Sequence, residues 1–258
     1  MRKFLLLLLV LWLTSEKAPA QEVIQPVSLV SEQATGVWNA VGRVNLIGTG
    51  FCTGALIAPN LVLTAAHCMF DKRTGQRVKT ENVEFLAGLR NGRAAAERFA
   101  RRVVINHTYK YNSRRRLDRV ASDIAIIELE RPIRNGRILP FGWASRPRVG
   151  QNVRVVSYSK DQPEEPALHK TCKILGRDPS VLVLSCHVTF GASGSPIFVI
   201  QNGVPRIASI ISAKAEWRNR DVALGVSLSR PLQQLLSSLS AGRGTIRRIQ
   251  PVSSHNGN

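Results

Sequence analysis

Leu63-Thr64-Ala65-Ala66-His67-Cys68 lies early in this chain, and Phe190-Gly191-Ala192-Ser193-Gly194-Ser195-Pro196 lies late in it. The first stretch supplies an imidazole that can act as a base near neutral pH. The second supplies a serine hydroxyl between glycines, which leave room for a substrate. Together the two stretches indicate covalent catalysis, with Ser193 as nucleophile and His67 as its base.

The imidazole needs a third group that holds it in one tautomer. Asp123 is the candidate, because it precedes the apolar run 124–129, whose length is typical of a buried strand. Taken singly, each residue has an ordinary structural interpretation as a loop histidine, a strand-end aspartate or a turn serine. Their order along the chain favours a catalytic triad. Three other histidines lack a matching context and are predicted to be structural or solvated: His107, His169 and His255.

The motifs TAAHC (64–68), DIAIIEL (123–129) and GASGSP (191–196), in this order, resemble the chymotrypsin-like serine peptidases. Ser195 stands where animal digestive enzymes usually have glycine, and this form is closer to the bacterial glutamyl-endopeptidase-like, or V8-like, branch. The resemblance covers about Trp38 to Leu239. It implies an all-β fold of two antiparallel six-stranded Greek-key β-barrels with a short C-terminal helix. Short apolar runs between Gly and Pro turns agree with this fold class.

The same resemblance implies an oxyanion hole made by the backbone N–H groups of Gly191 and Ser193, and a substrate pocket lined by His187 and Ser212. His187 stands at the pocket floor, so a trypsin-like preference for Lys or Arg is not expected. Ile211 stands where the V8-like branch has a histidine, so a glutamyl preference lacks support there. A place in the core for His187 and an ordinary strand-end hydroxyl for Ser212 remain alternatives. The sequence leaves the specificity open.

Activation is predicted to differ from that of the animal relatives, which pair an aspartate before the nucleophile with a newly cut amino terminus. Ala192 occupies that position here, so no such ion pair can form. The oxyanion hole must then be ordered by other contacts, or after trimming within residues 21 to about 40.

The first residues resemble an export signal. Met1-Arg2-Lys3 precedes the apolar run 4–13, and Ala18-Pro19-Ala20 has the small-x-small form of a cleavage site. The run is about half the roughly 20 residues that a spanning helix needs, which disfavours a membrane anchor. Residues 1–20 are therefore predicted to be a removed signal peptide, and the protein to be secreted or periplasmic.

Four cysteines allow three disulfide connectivities. The predicted export and the local spacing favour the pairs Cys52–Cys68 and Cys172–Cys186. Zinc binding is the alternative, and the absence of close Cys-x-x-Cys spacing argues against it. Neither a metal ion nor an organic cofactor is implied.

The chain divides into five predicted segments: a signal peptide (1–20), a propeptide or N-terminal arm (21–37), a first β-barrel with His67 and Asp123 (38–135), a second β-barrel and C-terminal helix with Ser193 (136–240), and a disordered basic tail (241–258). No internal repeat is visible.

The chain is strongly basic, with 36 Lys and Arg against 17 Asp and Glu. Removal of residues 1–20 takes away three basic and one acidic residue, so 33 against 16 leave a net charge of +17. The expected partners are protein or peptide substrates. An anionic envelope component is a candidate partner, with a merely solvated surface as the equal alternative. No specific nucleic acid is expected, because aromatic residues are not interleaved with the basic runs. We expect a monomeric serine endopeptidase; the alternative is a catalytically silent protein of the same fold that binds anionic ligands.

Overall fold

The computed structural model describes residues 27–28, 36–144 and 147–248. The predicted signal peptide and the last ten residues lie outside this part of the chain. No helix among the described residues is long and apolar enough to cross a membrane.

Antiparallel strands are the main secondary structure of the described chain. In order they are β1 (Val27–Ser28), β2 (Val41–Leu46), β3 (Gly50–Ala58), β4 (Leu61–Thr64), β5 (Val83–Ala87), β6 (Ala96–Ile105), β7 (Ala125–Leu129), β8 (Asn152–Ser159), β9 (Gln162–Arg177), β10 (Val181–Leu184), β11 (Pro196–Gln201), β12 (Val204–Trp217), β13 (Arg220–Ser227) and β14 (Thr245–Ile246). Two α-helices, α1 (Arg116–Ala121) and α2 (Ser229–Ser240), and three 3₁₀ helices, Gly36–Trp38, Ala66–Met69 and Thr80–Asn82, complete the elements.

The strands form two closed six-stranded barrels, which confirms the predicted fold class. In the first barrel the order is β6-β5-β2-β3-β4-β7, and a β6–β7 pairing closes it. In the second the order is β9-β10-β13-β12-β11-β8, and a β8–β9 pairing closes it. Within the described residues, closure pairs the first strand of each barrel with its last strand, and the short strands β1 and β14 pair in addition with β9 and β6.

Apolar strand segments separated by short turns explain the hairpins of the first barrel. Tight turns at 47–49 and 59–60 reverse the chain, so Val41 pairs with Ala55 and Leu63 pairs with Ala55 from the other side. Gly48 takes φ +82°, which a residue without Cβ adopts at no steric cost. This hairpin ends at Thr64, and the predicted base follows three residues later.

An aromatic cluster joins the two barrels. The ring of Phe198, on β11, lies 5.0 Å from the ring of Trp38 and 4.6 Å from that of Phe141. Phe198 is fully buried, and truncating a buried phenylalanine to alanine typically costs about 3–5 kcal/mol. The shared core fixes the barrels against each other and so sets the width of the cleft between them.

The crossing between the barrels comes a few residues later than predicted. The Phe141 N–H still donates to Leu56 O of the first barrel, whereas the Ala144 N–H donates to Ile207 O of the second. The chain therefore changes barrels between Phe141 and Ala144 and not at residue 136, because the apolar residues of the linker pack on the first barrel.

The tail from residue 241 was predicted to be disordered, and this is wrong for its first part. Thr245 and Ile246 form β14 against β6, and the Arg247 guanidinium lies 3.0 Å from Glu130 Oε2 and over the ring of Phe99. Backbone pairing and an aromatic contact outweigh the repulsion expected of a basic segment. Residues 249–258 lie outside the described chain.

Candidate active site between the two barrels

His67 lies in the 3₁₀ helix that follows β4. The next residue, Cys68, is joined to Cys52 of β3 by a disulfide, and a second disulfide joins Cys172 to Cys186. The first disulfide anchors the short helix to the barrel on the side where β3 meets the second barrel. Its sulfur atoms lie close to the His67 ring, but they are bonded to each other and leave no thiolate for a metal ion.

Asp123 holds His67 at two points. The His67 backbone N–H donates to Asp123 Oδ1 at 2.7 Å, and His67 Nδ1 lies 2.7 Å from Asp123 Oδ2. Ser212, on β12, donates its hydroxyl to the same Oδ2 at 2.5 Å. The carboxylate is only 2% exposed, and three donors compensate it for the loss of water. An acceptor at Nδ1 places the imidazole proton there and leaves Nε2 as the basic nitrogen.

Ser193 lies in a tight loop that is hydrogen-bonded to the first barrel. Its carbonyl accepts from the Thr53 N–H at 2.9 Å, and the following Gly194 N–H donates to Ile211 O. Gly194 has φ +78°, and a Cβ there would stand 2.3 Å from both Thr53 O and Thr64 Oγ1. Ser193 is therefore held against the ends of β3 and β4, beside the segment that carries His67.

The Ser193 hydroxyl itself makes no hydrogen bond to the described part of the chain, His67 Nε2 included. Contacts between a nucleophile and its base are often long in the absence of substrate and tighten when substrate binds. The structure thus holds the Ser193 loop against Thr53 and Thr64, beside the segment that carries His67, without a hydrogen bond between the two side chains.

The loop that contains Ser193 has two backbone N–H groups without a backbone acceptor among the described residues. Gly191 has φ +95°, and a Cβ there would stand 2.6 Å from the ring of Phe51. Within the described residues, neither the Gly191 N–H nor the Ser193 N–H donates to another backbone carbonyl. Two such N–H groups beside a serine suit an oxyanion, because preorganised backbone dipoles stabilise charge that develops during a reaction.

Residues 48–204 match the family model described as a trypsin-like peptidase domain. The chain belongs to the trypsin-like peptidase family. A solved structure described as Glu endopeptidase in complex with MPD superposes with a TM-score of 0.68 at 17% sequence identity, and the match covers 83% of this chain and 96% of that chain. The likeness at this identity shows that the two proteins share a fold.

In this trypsin-like peptidase, the two predicted pocket residues have different surroundings. Ser212 is buried, and its hydroxyl donates a hydrogen bond to Asp123. The His187 side chain is 56% exposed, with Nε2 3.9 Å from Asp221 Oδ2, so it does not point into the core. His169, predicted to be structural or solvated, is partly buried behind it, 3.5 Å from Ser157 Oγ. Burial, with a smaller contribution from His187, lowers the pKa of His169 to about 4.

The rim of the active-site cleft is cationic. Phe190, next to Gly191, is 68% exposed. Lys72 Nζ lies 5.2 Å from the centre of its ring, and Lys214 Nζ lies 5.9 Å from it. The two lysines come from different barrels, and neither forms an ion pair with a carboxylate of the described chain. An exposed aromatic face between two ammonium groups favours an anionic partner at this rim.

Thr53 is a site residue that the sequence reasoning missed. Its hydroxyl accepts from the Tyr158 N–H at 3.0 Å and lies 3.0 Å from Gly191 O, while its N–H binds Ser193 O. The side chain and the backbone N–H of this one buried residue of the first barrel thereby position the Ser193 loop of the second barrel. The only sequence signal is its place beside Cys52, and a threonine inside a strand has no feature that identifies such a role.

Proposed function

We propose that this protein is a serine endopeptidase in which His67 is the general base, Ser193 the nucleophile and Asp123 the group that orients the base. The observation that carries the proposal is the double contact of the Asp123 carboxylate with the N–H and the ring of His67, beside a serine loop held by Thr53. A buried carboxylate on Nδ1 is what a neutral imidazole needs in order to accept a proton at Nε2.

The reaction proceeds in two halves. His67 Nε2 takes the Ser193 proton as Oγ attacks the peptide carbonyl, and the N–H groups of Gly191 and Ser193 receive the oxyanion. The tetrahedral intermediate then expels the amine, which takes its proton from His67, and the acyl group remains on Ser193. Water, deprotonated by His67, hydrolyses this ester and restores the free enzyme.

We propose further that acidic side chains close to the scissile bond are favoured by the two lysines at Phe190. Lys72 belongs to the barrel that carries His67, and Lys214 follows Ser212 by two residues, so the two barrels each supply one ammonium group near Phe190. His187 is a candidate pocket residue and Ser212 supports Asp123 at the pocket edge. Peptide pairs that differ by Glu against Gln measure the preference. Lys72→Gln with Lys214→Gln should reduce it several-fold, and the exposed control Lys173→Gln should not.

We propose a secreted or periplasmic location. Two disulfides are typical of proteins that fold in an oxidising compartment, and residues 1–20 have the form of an export signal. Sequencing the amino terminus of the exported protein tests the cleavage after Ala20.

Trapping of the acyl-enzyme tests the mechanism. Oxidised protein is mixed with a nitrophenyl ester, quenched in acid and weighed by mass spectrometry. The proposal predicts a stoichiometric burst of nitrophenol and one acyl group on Ser193. Ser193→Ala should abolish both, while the neighbouring change Ser195→Ala should leave them. No acylation of correctly folded, oxidised protein would favour the alternative, a silent protein of this fold that binds anionic ligands.

A further inference from the structure

A basic cleft lies between α2 and the first barrel, and none of His67, Asp123 and Ser193 lines it. One part, of about 420 Å³, runs along the polar face of α2, and the other, of about 470 Å³, continues beside β6. His107, Ser238 and Arg243 line both parts, so the two parts adjoin one another, and we name them together the α2 cleft.

All the charged side chains of the α2 cleft are of one sign. Arg230, Arg243 and Arg77 line it, His107 stands between its two parts, and no Asp or Glu is among its lining residues. None of these three arginines forms an ion pair within the described chain. Partial burial lowers the pKa of Arg77, although the residue remains exposed to solvent. Three guanidinium groups around one depression form a site for several oxyanions.

The backbone does not offset this charge. The carbonyls at the end of α2 would repel an anion, but the N–H groups of Ala241, Gly242 and Arg243 donate to the carbonyls of Ser237, Leu239 and Ser238, respectively. β14 pairs with β6 directly after Gly244, and Thr80 Oγ1 donates to Thr245 O. The turn that carries Arg243 is thus held in place before any ligand arrives.

The remaining lining indicates which kind of anion fits. Gln233, Gln234 and Ser237 present amide and hydroxyl groups to the cleft, which suit the hydroxyls of a sugar. The aromatic rings at its wall, Phe70 and Tyr109, lie 5.9 Å apart with their planes tilted by 48°, so they form no parallel platform for stacked bases. We propose that the α2 cleft binds a glycan that carries phosphate or sulfate groups, and that it tethers the enzyme to such a surface while the Ser193 cleft stays open.

Calorimetric titration of the full protein tests this proposal. The probes are a heparin-derived hexasaccharide and phosphatidylcholine vesicles carrying lipid A, a phosphorylated glycolipid. The test variant is Arg230→Gln with Arg243→Gln. The control is Arg134→Gln with Arg137→Gln, which removes the same charge from exposed positions in the linker.

We expect the test variant to bind at least about tenfold more weakly, and the slope of log K against log salt to fall by roughly two, since each lost oxyanion contact contributes somewhat less than one. The control should change the affinity less than twofold. Binding of the hexasaccharide identifies a free glycan as sufficient, and binding of the vesicles alone identifies a glycolipid. Equal losses in both variants, no binding of either probe at physiological salt, or tighter binding of a single-stranded oligonucleotide of equal charge would each overturn the proposal.

Discussion

The change Asp123→Asn replaces one oxygen by an amino group and reverses the hydrogen bonding at His67. The His67 N–H donates to Oδ1, so the asparagine must keep its oxygen there. Its amino group then takes the place of Oδ2, 2.7 Å from His67 Nδ1 and in contact with the Ser212 hydroxyl. An amino group donates to Nδ1, which moves the ring proton to Nε2. The nitrogen that should accept the Ser193 proton is then blocked.

The expected loss follows from this tautomer. The imidazole can no longer act as base in its stable form, and it also loses the negative charge that stabilises its protonated form. Loss of both effects in a triad lowers turnover by about ten thousand-fold, or about 5 kcal/mol of activation free energy. The fold should survive, because the oxygen that binds the His67 N–H is retained.

The assay is steady-state hydrolysis of a peptide ester by Asp123→Asn and by the matched control Asp221→Asn. Asp221 is 78% exposed and touches His187, not His67. The control should keep activity within a few-fold of the parent. If Asp123→Asn retained a tenth of the parent activity, the assignment of the orienting carboxylate would be wrong.

Three further changes test separate parts of the structure. Ser212→Ala removes one of three hydrogen-bond donors to the buried Asp123 carboxylate, so kcat should fall about tenfold with KM nearly unchanged. An unchanged kcat would show that Ser212 has no role in orienting Asp123. The pKa of His169 is lower in the folded than in the unfolded protein, so its contribution to the free energy of unfolding should be fully present above pH 6.5 and be lost, by up to about 3 kcal/mol, as the pH drops to 4. In urea titrations His169→Gln should lack this loss, and a loss that persists would point to other groups. Ser195 buries a hydroxyl that has no hydrogen-bond partner among the described residues. Ser195→Ala should therefore raise stability by about 1 kcal/mol and Tm by about 2–4 °C in calorimetry, whereas a lower Tm would reveal a hidden partner.

The sequence sufficed for the elements whose pattern is local. Apolar strand runs and Gly or Pro turns agreed with an all-β chain, and the family resemblance implied the two barrels and the short C-terminal helix, which α2 forms. The short helix α1 was missed, because its residues lie within a basic run whose charges gave no apolar period. Its importance lies in its position directly before Asp123.

Features that depend on contacts between distant segments could not be predicted in the same way. Thr53 positions the Ser193 loop only because two barrels meet there. The α2 cleft gathers Arg77, Arg230 and Arg243 from three parts of the chain, and only Arg243 belongs to a basic run visible in the sequence. β14 formed within a tail whose composition indicated disorder, because an edge of β6 was available to it.

The identity of the nucleophile is tested most directly by labelling with a fluorophosphonate and mapping the adduct by peptide mass spectrometry. The account predicts one adduct, on Ser193, formed rapidly by oxidised protein and at least about a thousandfold more slowly by Asp123→Asn. An adduct on another serine, or no adduct on protein with both disulfides intact, would contradict it.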